Sequence, residues 1–410
     1  MIESLKGAEW LKAKSLNAVF DALEAAGGEV RVNGGAVRNA LMGIPIGDID
    51  LSTTLLPEQT AEALEAAGIK AIPTGIEHGT VTAISQKTPF EITTLREDIE
   101  TDGRHAVVKF GTDWELDAKR RDLTMNALYC DRYGEVFDPL NGLPDLENRI
   151  VRFIGDAEER IAEDHLRIMR FFRFFAWYGS GRPDAAGLKA CAKLRSGLEK
   201  ISAERIWMEL KKILSAKDPS RGLLWMRTTG VLNLILPESE KWGIDLVPHL
   251  IVAENKWRWK PDAMLLLMAM VRPDGENVIK LARRMKLSNA ETERLTSWAM
   301  CLMPKPDISA TEFAKLLYLG DPQSMIDCLK LELARMVSNQ NGESSDAKAH
   351  VQLVKTASKW KRPILPVKGQ DLLDKGYKAG PEMGGVLKQL ETKWVESGFK
   401  LGRKSLIESV

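Results

Sequence analysis

The sequence predicts an α+β protein: a mixed α/β first part followed by an almost wholly helical remainder. Two observations carry this. Up to about residue 140, short β-prone runs alternate with helical stretches, and beyond Asp138-Pro139 a helical periodicity with long apolar stripes takes over. No fixed-period repeat or low-complexity tract interrupts the 410 residues, a length that suits two to four domains with cores of their own.

Taken in order, residues 8–27 carry Trp10, Leu11, Leu16, Val19, Phe20 and Leu23 at helical spacing and stop at Gly27-Gly28, where glycine eases a left-handed end. A short strand at 29–32, a turn at Asn33-Gly34-Gly35 and a short helix at 36–42 follow. Residues 48–53 read as a strand, and 57–67 as a helix opened by proline in its first turn. Strands are expected at 69–73, 79–84 and 90–95. Helices are expected at 160–178, 203–215, 221–229, 262–272, 276–286 and 290–303, with joints at Pro304–Pro306 and Asn339–Ser345 and a last helical unit around 385–397.

Composition narrows the class. Four cysteines, widely spaced and without a C-x-x-C pair, make neither a disulfide framework nor a zinc site and fit a reducing cytosol. The start MIESLKGAEW lacks a basic residue run followed by an apolar one, and MLLLMAMV near residue 267 is too short to span a bilayer. A cytoplasmic protein without membrane contact is expected. Net charge is +1, but residues 351–410 hold 12 Lys and Arg against 6 Asp and Glu. That tail suits a phosphate-rich partner, with Lys359, Lys361, Arg362 and Lys368 as its candidate contacts, or is a solvated basic surface.

The stretch GDIDLSTTL places Asp48 and Asp50 on one face of a strand, about 7 Å apart, with Ile49 and Leu51 on the other. Such a pair alone reads as a solvated edge. It follows NGGAVRNALMG, however, where Gly34 and Gly35 leave backbone N–H groups open at a helix start and Arg38 adds charge one turn in. Together they read as a phosphate cradle facing a metal site, because magnesium is held by one or two carboxylates plus substrate phosphates. Two such ions could activate a hydroxyl and steady a leaving pyrophosphate. Glu91, alternating with Phe90 and Ile92, is either the third carboxylate or an exposed edge acid.

GGAVRNALMGIPIGDIDLSTT, then KRRDLTMNALYCD at 119–131, then AEDHLRIMRFFRF at 162–174, resemble the successive motifs of the class II nucleotidyltransferases, which comprise tRNA CCA-adding enzymes and bacterial poly(A) polymerases. ISAERIWMELKKIL at 201–214 also looks like the family, and GYKAGPEMGGVLKQLETKWVES is similar to the tail of CCA-adding members. The resemblance implies a polymerase-β-like nucleotidyltransferase head at 1–140, a helical neck at 141–215 that recognises the base, a helical body at 216–340 and a basic, tRNA-binding tail at 341–410. It implies addition of CCA to the 3′ end of tRNA from CTP and ATP with magnesium, or adenylate addition by a poly(A) polymerase; an inactive RNA-binding module would lack the intact Asp48, Asp50 and Asp164. The oligomeric state is left open. The family usually has aspartate where this chain has Asn39, which removes a charge beside Arg38.

By the resemblance, Arg121 binds nucleotide while Asp122 and Asn126 shape the sugar pocket, physically an acid–amide pair on one helical face that can hold ribose hydroxyls or fix an arginine. Asp164 and Arg167, three apart on a helix, are neighbours able to accept from an exocyclic amine and donate to a ring nitrogen, a match for cytosine and adenine but not guanine or uracil. Arg170 and Arg173, also nucleotide contacts in the family, drift about 60° per step and would face phosphates or brace the pocket. Phe171, Phe172, Phe174 and Phe175 read as core. Residues 96–110 suit a mobile loop, with His105 a loop residue rather than a base, and in CCA-adding relatives a flexible loop here helps switch the pocket from cytosine to adenine. Trp257 and Trp259 in NKWRWKP are packing or stacking residues.

Overall fold

The computed structural model describes residues 4–102, 105–239 and 243–410, with side chains outside 98–107. The chain forms two compact units, Met1–Ile235 and Leu236–Val410.

The first unit opens on a short 3₁₀ turn, Glu9–Lys12, and helix α1 (Lys14–Ala25). The single helix expected over 8–27 is broken at Ala13, whose extended backbone (φ −59°, ψ 125°) separates the two. Leu16, Val19, Phe20 and Leu23 form the buried stripe of α1. Then come β1 (Val30–Asn33), α2 (Gly35–Leu41), β2 (Asp50–Thr53), α3 (Pro57–Ala66), β3 (Lys70–Gly75), β4 (Thr80–Ser85) and β5 (Thr88–Thr94). After β6 (Arg96–Asp102), β7 (His105–Phe110) and α4 (Trp114–Lys119), two short strands, β8 (Tyr129–Cys130) and β9 (Val136–Phe137), complete the sheet. Its order is β3-β4-β5-β2-β1-β8-β9. Only β2 and β5 run parallel; the other pairs are antiparallel. This puts Asp50 opposite Asn33 on one side and opposite Glu91 on the other.

Two expectations change here. Asp48 precedes β2 rather than lying in it, so the strict two-residue alternation with Asp50 does not apply. Within the segment read as a loop, Arg96–Asp102 and His105–Phe110 pair as an antiparallel ladder, β6 against β7. His105 opens β7; its side chain lies outside the described residues.

Helices α5 (Leu143–Glu147), α6 (Ala157–Glu163), α7 (Leu166–Tyr178), α8 (Ala185–Leu194), α9 (Ala203–Leu214), α10 (Ser220–Thr228) and α11 (Val231–Ile235) finish this unit. The helix expected over 160–178 breaks at Asp164, which is extended at φ −150°, ψ 107°. Phe171, Phe172, Phe174 and Phe175 are all buried on α7.

The second unit holds α12 (Leu246–Trp257), α13 (Ala263–Met270), α14 (Gly275–Arg284), α15 (Asn289–Ala299), α16 (Ala310–Leu319), α17 (Pro322–Ser338), α18 (Ser345–Lys359), α19 (Gly369–Leu373), α20 (Pro381–Glu396) and α21 (Arg403–Glu408). The apolar run near residue 267 is α13, buried at every position and therefore a core helix. Among the described residues, no helix is long and apolar enough to cross a membrane. Trp257 and Trp259 pack partly buried against the cluster built on Phe313, Leu317 and Leu329. Tyr318, Trp394 and Phe399 meet with ring centroids 5.1–5.7 Å apart, joining α16 to the last helices.

Candidate active site

The site grows from the end of β1. Asn33 is buried there, donating to Ser52 Oγ (2.9 Å) on β2 and accepting from Arg121 Nη1 (3.0 Å). The chain then reverses at Gly34, whose φ of +61° an L side chain rarely adopts. A Cβ there would also press on Arg121 Nη1 at 3.4 Å, so the turn and the arginine fit only together. Helix α2, begun here, has just seven residues, and the positive potential comes mainly from arginines rather than from its dipole.

Beside this turn lies an open cavity of 570 Å³. Its wall includes Gly34, Gly35, Asp50, Asp122, Asn126, Asp164 and Phe174, and carries seven arginines (Arg38, Arg96, Arg120, Arg121, Arg167, Arg170, Arg205) against three aspartates. An excess of cations inside a concave surface is a site for a polyanion.

Asp50 is the carboxylate on its floor. Burial, reinforced by Glu91 and then by Asp48, pushes the Asp50 carboxyl above its ordinary range, and Arg121 opposes this. A divalent cation at this edge would relieve the repulsion that Glu91 and Asp48 exert on Asp50. Asp48 and Glu91 are exposed. Among the described residues no three His, Cys, Asp or Glu side chains already stand at ligand spacing, so the edge is open, which suits an ion that keeps waters and takes phosphate oxygens.

Arg121 is fixed from several directions: Asp117 Oδ2 (3.1 Å), the Tyr129 hydroxyl (3.1 Å) and Asn33. Asp117 is fully buried. Burial pushes its carboxyl up, but Arg120 and Arg121, with the Tyr129 hydroxyl, outweigh it and hold Asp117 below the usual range. Asp122 is likewise buried and held down by Arg170, whose Nε and Nη2 reach Oδ2 at 2.7 and 2.6 Å. Asn126 Nδ2 donates to the other oxygen of Asp122 (3.1 Å). Asp122 and Asn126 do meet, but not on a helical face: Asp122 sits in a bend and Asn126 ends a 3₁₀ turn.

The relay continues to Arg38, which donates to Asn126 Oδ1 (2.5 Å), the Tyr178 hydroxyl (2.8 Å) and Asn39 Oδ1 (2.9 Å). Arg38 is 6% exposed, its hydrogen bonds all go to neutral groups, and burial lowers its pKa. A buried guanidinium lacking a carboxylate partner favours an incoming anion. Asn39 thus still orients Arg38, and its Nδ2 donates to Pro45 O (3.1 Å).

Asp164 and Arg167 both reach the cavity, though not from one helix face. Asp164 forms the break between α6 and α7, its Oδ1 accepting from Leu166 N (3.0 Å) and its Oδ2 from Arg205 Nη2 (2.9 Å). Arg167, on the first turn of α7, bonds the Arg160 carbonyl (2.8 Å) and Glu163. Arg160 in turn donates to the carbonyls of Arg120 and Arg121 (2.6 Å each), clamping α6 onto the arginine motif. Arg173 does not line this cavity; it pairs with Glu209 (2.8 Å) and opens on a second one. Asn33, Asp117, Glu163 and Arg205 are site residues that sequence reasoning missed. Arg205 lay within a quoted motif, yet an arginine in the first turn of an amphipathic helix ordinarily reads as solvated. In the second unit, Lys359, Lys361, Arg362 and Lys368 are all exposed, with Arg362 over the Tyr318 ring at 4.4 Å.

An acidic edge on a small mixed sheet beside an open, arginine-lined cavity is the arrangement of a nucleotidyltransferase. Family models agree: the poly A polymerase head domain matches residues 30–152, the "Probable RNA and SrmB-binding site of polymerase A" matches 184–242, and tRNA nucleotidyltransferase domain 2 matches 256–410. The chain is 37% identical over 386 residues to the mouse mitochondrial CCA tRNA nucleotidyltransferase 1, covering 93% of this chain and 86% of that protein. It is 32% identical to the CCA-adding enzyme of Streptococcus sanguinis over 91% of this chain and 90% of that one. The crystal structure of the Bacillus stearothermophilus CCA-adding enzyme in complex with CTP superposes with a TM-score of 0.73 at 28% identity, covering 94% and 93% of the two chains. The chain belongs to the tRNA nucleotidyltransferase and poly(A) polymerase family, among its CCA-adding members.

Proposed function

We propose that this enzyme adds C, C and A to the 3′ end of tRNA from CTP and ATP, with release of pyrophosphate. The observation that carries the reading is the convergence, in one cavity, of the Asp50 edge, the arginine wall and the Asp164–Arg167 pair. Asp48 and Asp50, with Glu91 third, would hold magnesium, whose chemistry there is activation of the RNA 3′ hydroxyl and neutralisation of the leaving group. Arg121, locked by Asp117 and Asn33, is rigid enough to grip a triphosphate in one orientation. Arg170 braces Asp122 and, through Asn126, Arg38.

Base choice falls to Asp164 and Arg167. A carboxylate oxygen accepts the amino proton of cytosine or adenine, and a guanidinium donates to the adjacent ring nitrogen; uracil and guanine present the opposite pattern. Arg205 orients the Asp164 carboxylate, and Glu163 orients the Arg167 guanidinium. The four free cysteines support a cytoplasmic setting. The basic stretch Lys359–Lys368 would contribute to tRNA binding.

The test of the metal assignment is Asp48→Ala. Incorporation should be abolished across a magnesium titration while tRNA binding persists. Retained activity removes Asp48 from the metal edge.

A further inference from the structure

A second cavity of 250 Å³ adjoins the first unit's site and is lined by Arg38, Arg173, Phe174, Trp177, Tyr178 and Lys212, three cations and three aromatics with no carboxylate in the wall. Its geometry is that of a stacking platform. Phe174 and Tyr178 stack at 5.7 Å, Trp177 tilts beside Tyr178 at 6.5 Å, and the Arg38 guanidinium lies 4.0 Å from the Tyr178 centroid. Trp177 is 45% exposed, yet it is not loose: its indole N–H donates to the Lys212 carbonyl at 2.8 Å, which fixes the ring while leaving a face in solvent. Met208, one turn before Lys212 on α9, is 56% exposed.

We infer that this cavity is a subsite for one unpaired nucleotide of the RNA strand being extended, its base against Trp177 and its phosphate near Lys212 and Arg173. The inference rests on the proposed RNA extension. Three features favour a strand over a free nucleotide. Arg38 and Phe174 line both cavities, so an occupant here adjoins the one in the main cavity. The volume is under half that of the main cavity, room for a single residue of a chain. The wall also offers no carboxylate to hold a metal–triphosphate. Aromatic faces accept every base, so this subsite grips without reading sequence.

The test compares wild type, Trp177→Ala, Trp177→Phe and Lys212→Gln in extension of tRNA lacking its CCA end. Trp177→Ala should raise KM for the RNA about tenfold, within the range of one lost base stack, while KM for CTP and kcat stay within twofold. Trp177→Phe, which keeps a stacking face but not the N–H, should return KM for the RNA to within about threefold of wild type. Lys212→Gln should lower the slope of log affinity against log salt by about one. An unchanged KM for RNA in Trp177→Ala overturns the subsite, as does failure of Trp177→Phe to rescue, which would mark a merely structural indole. A rise in KM for CTP with none for RNA overturns the strand assignment in favour of free nucleotide. Failure of wild type to extend any RNA is read separately and removes the function on which the subsite depends.

Discussion

Asp164→Asn is the substitution that isolates base reading from folding. Its Oδ1 accepts from Leu166 N, a bond that asparagine keeps, so the break between α6 and α7 survives. Its Oδ2 accepts from Arg205, and asparagine puts an N–H donor facing that guanidinium or the base instead. A correct match to the amino group of cytosine is lost and a match to the O4 acceptor of uracil is gained. At about 1–3 kcal/mol for each, kcat/KM for CTP over UTP should fall by roughly 30-fold to 10⁴-fold. Thermal stability should fall little, whereas Asp164→Ala, which deletes the capping bond too, should cost about 1 kcal/mol more. The assay is single-nucleotide incorporation of C and of U on tRNA lacking CCA. An unchanged ratio in a folded Asp164→Asn enzyme refutes Asp164 as a base reader.

Other outcomes follow from partners elsewhere. Arg170→Ala leaves the buried Asp122 charge without its main partner and should destabilise the first unit by about 3–5 kcal/mol; adding Asp122→Asn should recover much of the thermal midpoint but not the activity. Glu254 is 4% exposed, with Oε1 unpartnered, and burial pushes its carboxyl up to about 7. A raised acid pKa means that the native state holds an extra proton between about pH 4.5 and 7, so stability declines across that window and is flat above it. Glu254→Gln should therefore gain about 2–3 kcal/mol above pH 7 and little below pH 4.5, read as midpoint against pH; a pH-independent gain would contradict the titration. Replacing Lys359, Lys361, Arg362 and Lys368 by Gln should flatten the salt dependence of tRNA affinity by up to about four units of slope, without touching KM for CTP. Charge neutralisation is preferable to truncation near residue 350, because Trp394 and Leu390 pack on Tyr318 and a cut would open that core.

The first five strands and the three motifs were legible because alternation, glycine turns and motif spacing are local signals. The break at Asp164 was not, since the apolar stripe runs on through it without proline or glycine and a single side chain capping Leu166 N makes the difference. The pairing of β6 with β7 was masked by the polar composition of the two strands. Partners such as Asp117 for Arg121 and Arg205 for Asp164 were invisible for another reason. They pair by tertiary packing, and nothing in their own segments distinguishes them from solvated charges.

The central claim is tested most directly by incubating the protein with magnesium and labelled tRNA lacking its terminal CCA, with CTP alone, ATP alone, then both, and sizing products to the nucleotide. The account predicts two additions with CTP alone and growth by three residues that then stops when both are present. Long ladders with ATP alone would contradict it and make the enzyme a poly(A) polymerase.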